Sequence, residues 1–151
     1  MIEQFVIQSD IKNFPIVEEH LFHFCQEYHV GRYYSTLIVA TFQAVENAIV
    51  HGNHFRSDKL VTLLLGTCRG GLFVEVQDEG DGFDYSQFGK IPNQRVGKGE
   101  GIFVMNKLAD NVLYSEGGKR VRMQFMVDGI DPAEALERIA VLQMAMQVVD
   151  V

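Results

Sequence analysis

A chain of 151 residues favours one domain and is long enough to bury a substantial core. With 47% hydrophobic and 22% charged residues it has the composition of an ordinary globular protein, and 13 basic against 20 acidic residues give a net charge of −7. That balance argues against nucleic acid or anionic membrane as a main partner, so any phosphate site must be local, built from backbone amides and a few cations.

Residues 2–8, IEQFVIQ, read as a strand. Residues 14–29 place Val17, Leu21, Phe24 and Tyr28 at helical spacing, with Pro15 tolerated in the first turn and Gly31 expected to close the helix. A second, more apolar helix is expected over 33–51, ending at His-Gly-Asn, where Gly52 and Asn53 both suit a C-terminal cap. Two strands follow, 59–68 and 72–78, about an Arg-Gly-Gly hairpin turn. The polar, glycine-containing segment 79–100 is long for a loop inside a compact domain, which marks it as functional or disordered. A short helix over 101–110 then leads to a strand pair about the glycines at 117–118. In the final stretch Asp131 can cap a helix, with Pro132 at its first position and Glu134 two residues further on. The order β-α-α-β-β-loop-α-β-β-α predicts an α+β fold, a two-layer sandwich in which a mixed, mostly antiparallel sheet carries helices on one face.

Cys25 and Cys68 fit neither a disulfide framework nor a zinc site, and read as thiols in a reducing cytoplasm. The first residues, MIEQFVIQSD, have no basic region before a long apolar run, so no signal peptide is expected. No apolar stretch approaches the roughly 20 residues that span a membrane. His20 and His23 lie one turn apart but no third ligand is suggested, so the histidines are read as non-metal.

Three motifs carry the functional signal. Gln43, Asn47 and His51, followed by Gly52, are spaced along one stripe of the second helix. Asn is a poor residue for a helix interior. An amide oxygen facing a cleft can coordinate Mg2+, and a solvated face with a satisfied Asn is the plainer reading. Asp78 to Phe83, DEGDGF, follows a strand directly: Asp78 can accept from an exocyclic amine such as that of adenine, and Gly80 and Gly82 let backbone approach a ligand. The alternative there is an ordinary glycine-rich turn; the spacing does not fit a calcium loop. Gly97, Gly99 and Gly101 run straight into a helix, whose free N–H groups make an anion site, with Lys90, Arg95 and Lys98 as nearby cations. They match neither a dinucleotide fingerprint nor a Walker sequence.

In this order, AVENAIVHGN, QDEGDGFD and GEGIFVMNKLADNV resemble the N box and the two glycine boxes of the histidine-kinase-like (GHKL) ATPase superfamily, and above all the small stand-alone anti-sigma-factor serine kinases of bacteria. The resemblance covers roughly residues 1–127 and implies an ATP-binding domain of Bergerat type there, with 128–151 a C-terminal helical extension packed on the same domain or on a partner. It implies that Asn47 ligates Mg2+ and that Asp78 recognises adenine. It further implies that Gly80, Gly82, Gly99 and Gly101 shape the pocket, and that 83–98 is an ATP lid from which Arg95 or Lys98 reaches phosphate. Such proteins are cytoplasmic, commonly homodimeric, hold a sigma factor inactive and phosphorylate a serine on an anti-anti-sigma protein.

The sequence departs from that pattern at Gln43, where the family has the Glu that serves as general base. A carboxamide has nearly the same shape but takes no proton at neutral pH. Glu46 lies about 100° around the helix from Asn47 and is expected to face solvent or the lid. Near the last strand, Lys119 or Arg120 stands where the family often has Thr. Two functions therefore remain open: an anti-sigma kinase type of ATP·Mg-binding regulator, or a catalytically inactive ATP-binding module that acts through protein contacts.

Overall fold

The computed structural model describes residues 2–85 and 100–127. The expected C-terminal extension, 128–151, lies outside the described residues. β1 (Ile2–Gln8) leads through a short 3-10 turn, Ile11–Asn13, into α1 (Phe14–Glu27). α1 buries Val17, Leu21 and Phe24 of the expected stripe, and Cys25 beside them; Tyr28 follows the helix as its C-cap and is partly buried.

The end of α1 corrects one expectation. Gly31 does not close it. His29 takes the left-handed conformation, with φ 56. Its N–H donates to the Gln26 carbonyl at 3.2 Å, and the Val30 N–H reaches back to Cys25 at 2.9 Å. These two bonds satisfy the last carbonyls in the pattern usually built on glycine. Gly31 instead begins the 3-10 turn Gly31–Tyr33 that feeds α2 (Tyr34–Asn47).

β2 (Leu60–Cys68) and β3 (Gly71–Gln77) form the expected hairpin, and its tight turn uses Gly70 at φ 83. α3 (Glu100–Leu108) precedes the second strand pair, β4 (Asn111–Ser115) and β5 (Arg120–Met126). The sheet order is β1-β2-β3-β5-β4. Every described pairing is antiparallel, so the parallel component of a mixed sheet is not seen among the described strands. The α+β sandwich itself is as expected.

Alternation along the strands decides which face is covered. Phe5, Ile7, Val61, Leu63, Leu65, Leu72, Val74, Val76, Val121, Met123 and Phe125 point into one core with the helices. On the opposite face, Gly66 sits across from Phe73, and the ring lies over it; a β-carbon on Gly66 would stand 2.6 Å from that ring. Beside it Glu75 is 5% exposed, accepting from the Arg122 guanidinium at 3.1 Å with Arg120 at 3.8 Å. No described helix is long and apolar enough to cross a membrane.

Candidate functional site: a cleft closed by two glycine contacts

α2 does not end as a regular helix. Ala48–Gly52 form a π turn, in which the Asn53 N–H reaches back five residues to the Ala48 carbonyl at 2.8 Å. Such wide turns re-aim the side chains they carry. Here Asn47, His51 and Gly52 all border one cleft of about 360 Å3 between the sheet, α2 and α3. Its floor is Val76, Val121 and Tyr114, side by side on β3, β5 and β4. Ala44, Ala48 and Gly52 follow one another at four-residue spacing along the helical wall. Their missing side-chain volume leaves the room, and Ile102 and Met105 of α3 line the other wall.

Asp78 stands where β3 leaves the sheet. Its N–H donates to the Lys119 carbonyl at 2.9 Å, and its carboxylate accepts from the Gly80 N–H at 2.8 Å. Burial pushes its pKa up, opposed by the Gly80 hydrogen bond and the positive charges of Lys119, Lys59 and His54. A half-buried carboxylate at the edge of an apolar floor is a poor structural element and a good acceptor for a ligand N–H. Backbone presses on it from the helix side: a β-carbon on Gly52 would lie 2.4 Å from the Asp78 carboxyl carbon.

A second contact closes the other rim. Gly82, at φ 83, lies so near the β4–β5 turn that a β-carbon would stand 2.2 Å from the Gly117 carbonyl oxygen. The Phe83 N–H donates to that same oxygen at 3.0 Å. The two glycines at 117–118 are thus more than a hairpin turn; they are the surface on which the glycine loop after Asp78 docks.

Asn53, read from sequence as a helix cap, has a different task. It is fully buried. Its amide nitrogen donates to Ser9 Oγ at 2.8 Å and to the Leu60 carbonyl at 3.0 Å, while its amide oxygen accepts from the Glu79 N–H at 2.8 Å. One side chain therefore ties the ends of β1 and β2 to the loop that carries Asp78. The left-handed residues after the helix are His54 and Phe55, at φ 51 and 59.

Of the residues singled out from sequence, Asn47, Asp78 and Gly82 come together on the cleft. Gly80 packs behind Asp78, and Gly101 lies in the first turn of α3. Gln43, one turn before Asn47 on α2, is half-buried and is not part of the cleft wall; Glu46 is exposed. Arg95, Lys98 and Gly99, with most of the expected lid, lie outside the described residues. Lys119, not Arg120, faces the cleft, because Arg120 falls on the opposite face of β5 and bonds Gln77 at 3.1 Å. Lys119 supplies a local cation of the kind an acidic chain needs around an anionic ligand, with His51 and His54 on the same lining.

Sequence reasoning missed Asn53 as a hub and Tyr114 as part of the floor. The only local signal for Asn53 was an Asn after His-Gly, which also fits a cap. Tyr114 sits in an alternating strand and reads as core.

Residues 36–125 match the family model described as the histidine kinase-like ATPase domain. That span runs from α2 to β5 and holds every residue of the cleft wall. No curated protein matches the chain.

Proposed function

Because this chain belongs to the histidine kinase-like ATPase domain family, we propose that its cleft takes ATP with Mg2+ and that the protein is a regulator of the anti-sigma-factor serine kinase type. The observation that carries the reading is the Asp78 carboxylate, half-buried at the edge of an apolar floor and backed by Gly52 and Gly80. Volume and lining suit a purine: ligand pockets run from about 300 to 1,000 Å3 and are mostly apolar with a few placed polar groups. Asp78 accepts from the exocyclic amine of adenine. Asn47, on the wall of the same cleft, offers a hard amide oxygen to Mg2+. The metal, when bound, neutralises phosphate charge.

The partners in this reading are a sigma factor, a serine-bearing anti-anti-sigma protein, or both, met by a homodimer. Transfer to such a serine would join its oxygen to the γ-phosphorus and break the bond to the bridging oxygen. ADP leaves with the electron pair. The hydroxyl proton must go to a phosphate oxygen or to solvent, since the Gln43 carboxamide cannot take it. Transfer is therefore slow. A second reading, an ATP-binding module without catalysis that acts through protein contacts, is favoured by the same residue.

Calorimetry with ATP, with and without Mg2+, tests the proposal. Binding is expected in wild type, with a Mg2+ dependence that disappears in Asn47→Ala. No heat at millimolar nucleotide would end the ATP reading. Labelled ATP and candidate serine-bearing proteins then separate the two functions by measuring transfer apart from binding.

A further inference from the structure

Tyr114 lies on the cleft floor beside Val121, two strands from β3 and the Asp78 end of the site. Its ring is fixed by neighbours. Tyr85 stacks on it at 4.8 Å between centroids with the planes 18° apart, and Phe83 meets it edge-on at 5.6 Å. The hydroxyl is buried and has no hydrogen-bond partner among the described residues. Buried hydroxyls are nearly always bonded, because a dry one loses its water and gains nothing. Phe would supply the same ring contacts without that cost. Burial also pushes the phenol far above its ordinary pKa, so it is a neutral donor throughout the physiological range.

We propose that the Tyr114 hydroxyl is a recognition group for the bound nucleotide, donating a hydrogen bond to a lone-pair acceptor on its nucleoside half. The inference rests on the nucleotide reading of the cleft. Two strand spacings separate the backbone of Tyr114 from that of β3, roughly 10 Å. A nucleoside whose exocyclic amine meets Asp78 extends across that distance. A ring nitrogen of the base or a ribose hydroxyl oxygen then comes within reach of the phenol. The ligand supplies the partner that the described residues do not, so the hydroxyl adds to binding and not to folding. It gives discrimination as well: a ligand with no acceptor at that point leaves the hydroxyl as it is among the described residues, without a partner.

Tyr114→Phe removes one oxygen and keeps the aromatic wall. The variant is expected to match or exceed wild type in urea unfolding without ligand, yet to bind ATP about 3- to 10-fold more weakly, the scale of one neutral hydrogen bond. Repeating the titration with ATP analogues that each lack one ring nitrogen, and with deoxy-ATP, identifies the acceptor: with that analogue wild type and variant bind alike. Equal ATP affinity in both proteins overturns the role of Tyr114 and leaves the nucleotide reading standing. A less stable ligand-free variant overturns it as well, by showing that the hydroxyl serves the fold. If wild type binds no adenine nucleotide, both readings fall together.

Discussion

Gly80 and Gly52 are in backbone contact: a β-carbon on Gly80 would lie 2.1 Å from the Gly52 carbonyl oxygen. The loop after β3 and the π turn at the end of α2 are thereby locked together with Asp78 between them. A side chain at Gly80 must push the two apart. Gly80→Ala is expected to destabilise the protein by about 1–3 kcal/mol, as overpacking against fixed backbone does. Urea midpoints at constant m-value measure it. Gly52→Ala meets the Asp78 carboxylate, a side chain that can turn, so it should cost less stability and more nucleotide affinity. Equal losses in both assays for both variants would show that the two contacts do not divide in this way.

Asp78 should reveal itself through pH. Burial raises its folded pKa above 3.8, so the folded state holds the proton more tightly than the unfolded chain. The sign follows: stability from this group is greatest when it is protonated and falls as pH rises through the window from the unfolded to the folded value. Asp78→Asn carries no such charge. Its stability relative to wild type should grow as pH rises through that window and then level off, while ATP affinity at neutral pH falls by the roughly 1.5–3 kcal/mol of a charged hydrogen bond. A stability difference that stays flat from about pH 3 to about pH 8 would mean that the carboxylate is not desolvated.

Asn53 makes three side-chain hydrogen bonds from a fully buried position. Asn53→Ala leaves the Glu79 N–H and the Leu60 carbonyl without their partner. The expected cost is about 3 kcal/mol, since each buried polar group left unpaired costs about 1–3 kcal/mol. Asn53→Asp keeps an acceptor for Glu79 but removes both donors, so it should be no better than Ala. Chemical denaturation of the two variants provides the check, and an Asp variant near wild-type stability would contradict the hydrogen-bond pattern.

Gln43→Glu would place a proton acceptor where the family carries one, at nearly unchanged volume. If transfer or hydrolysis is slow for want of a base, this change should raise the rate by about 10²–10⁴-fold with ATP affinity little altered. Glu46→Gln should leave the rate alone, because Glu46 is exposed, whereas Gln43 is half-buried and shares the helix stripe that carries Asn47 to the cleft. A wild-type rate that collapses in Glu46→Gln would identify Glu46 as the base instead.

Periodicity and turn chemistry were sufficient for the order of the described elements and for the α+β class, because hydrophobic spacing is a local property of the chain. The chemical identity of the candidate site was also legible: Asn47, Asp78 and the glycines at 80 and 82 stand out as residues that a plain helix or strand would not choose. That Gln43 cannot itself act as a base needs no coordinates either, since a carboxamide takes no proton in any fold. What the linear chain could not display was proximity. That Gly52 must be glycine follows from Asp78, 26 positions later in the sequence, and from Gly80 beyond it. Asn53 passes for a cap until Ser9, Leu60 and Glu79 gather around it. His29, not Gly31, ends α1, and the Val30 that follows it is buried and bonds back to Cys25. Tyr114 alternates like any core residue, and only the strand order sets it on the cleft floor, two strands from β3 and Asp78. Local spacing decides which face a side chain takes; which distant groups share that face is decided when the sheet and helices close on one core.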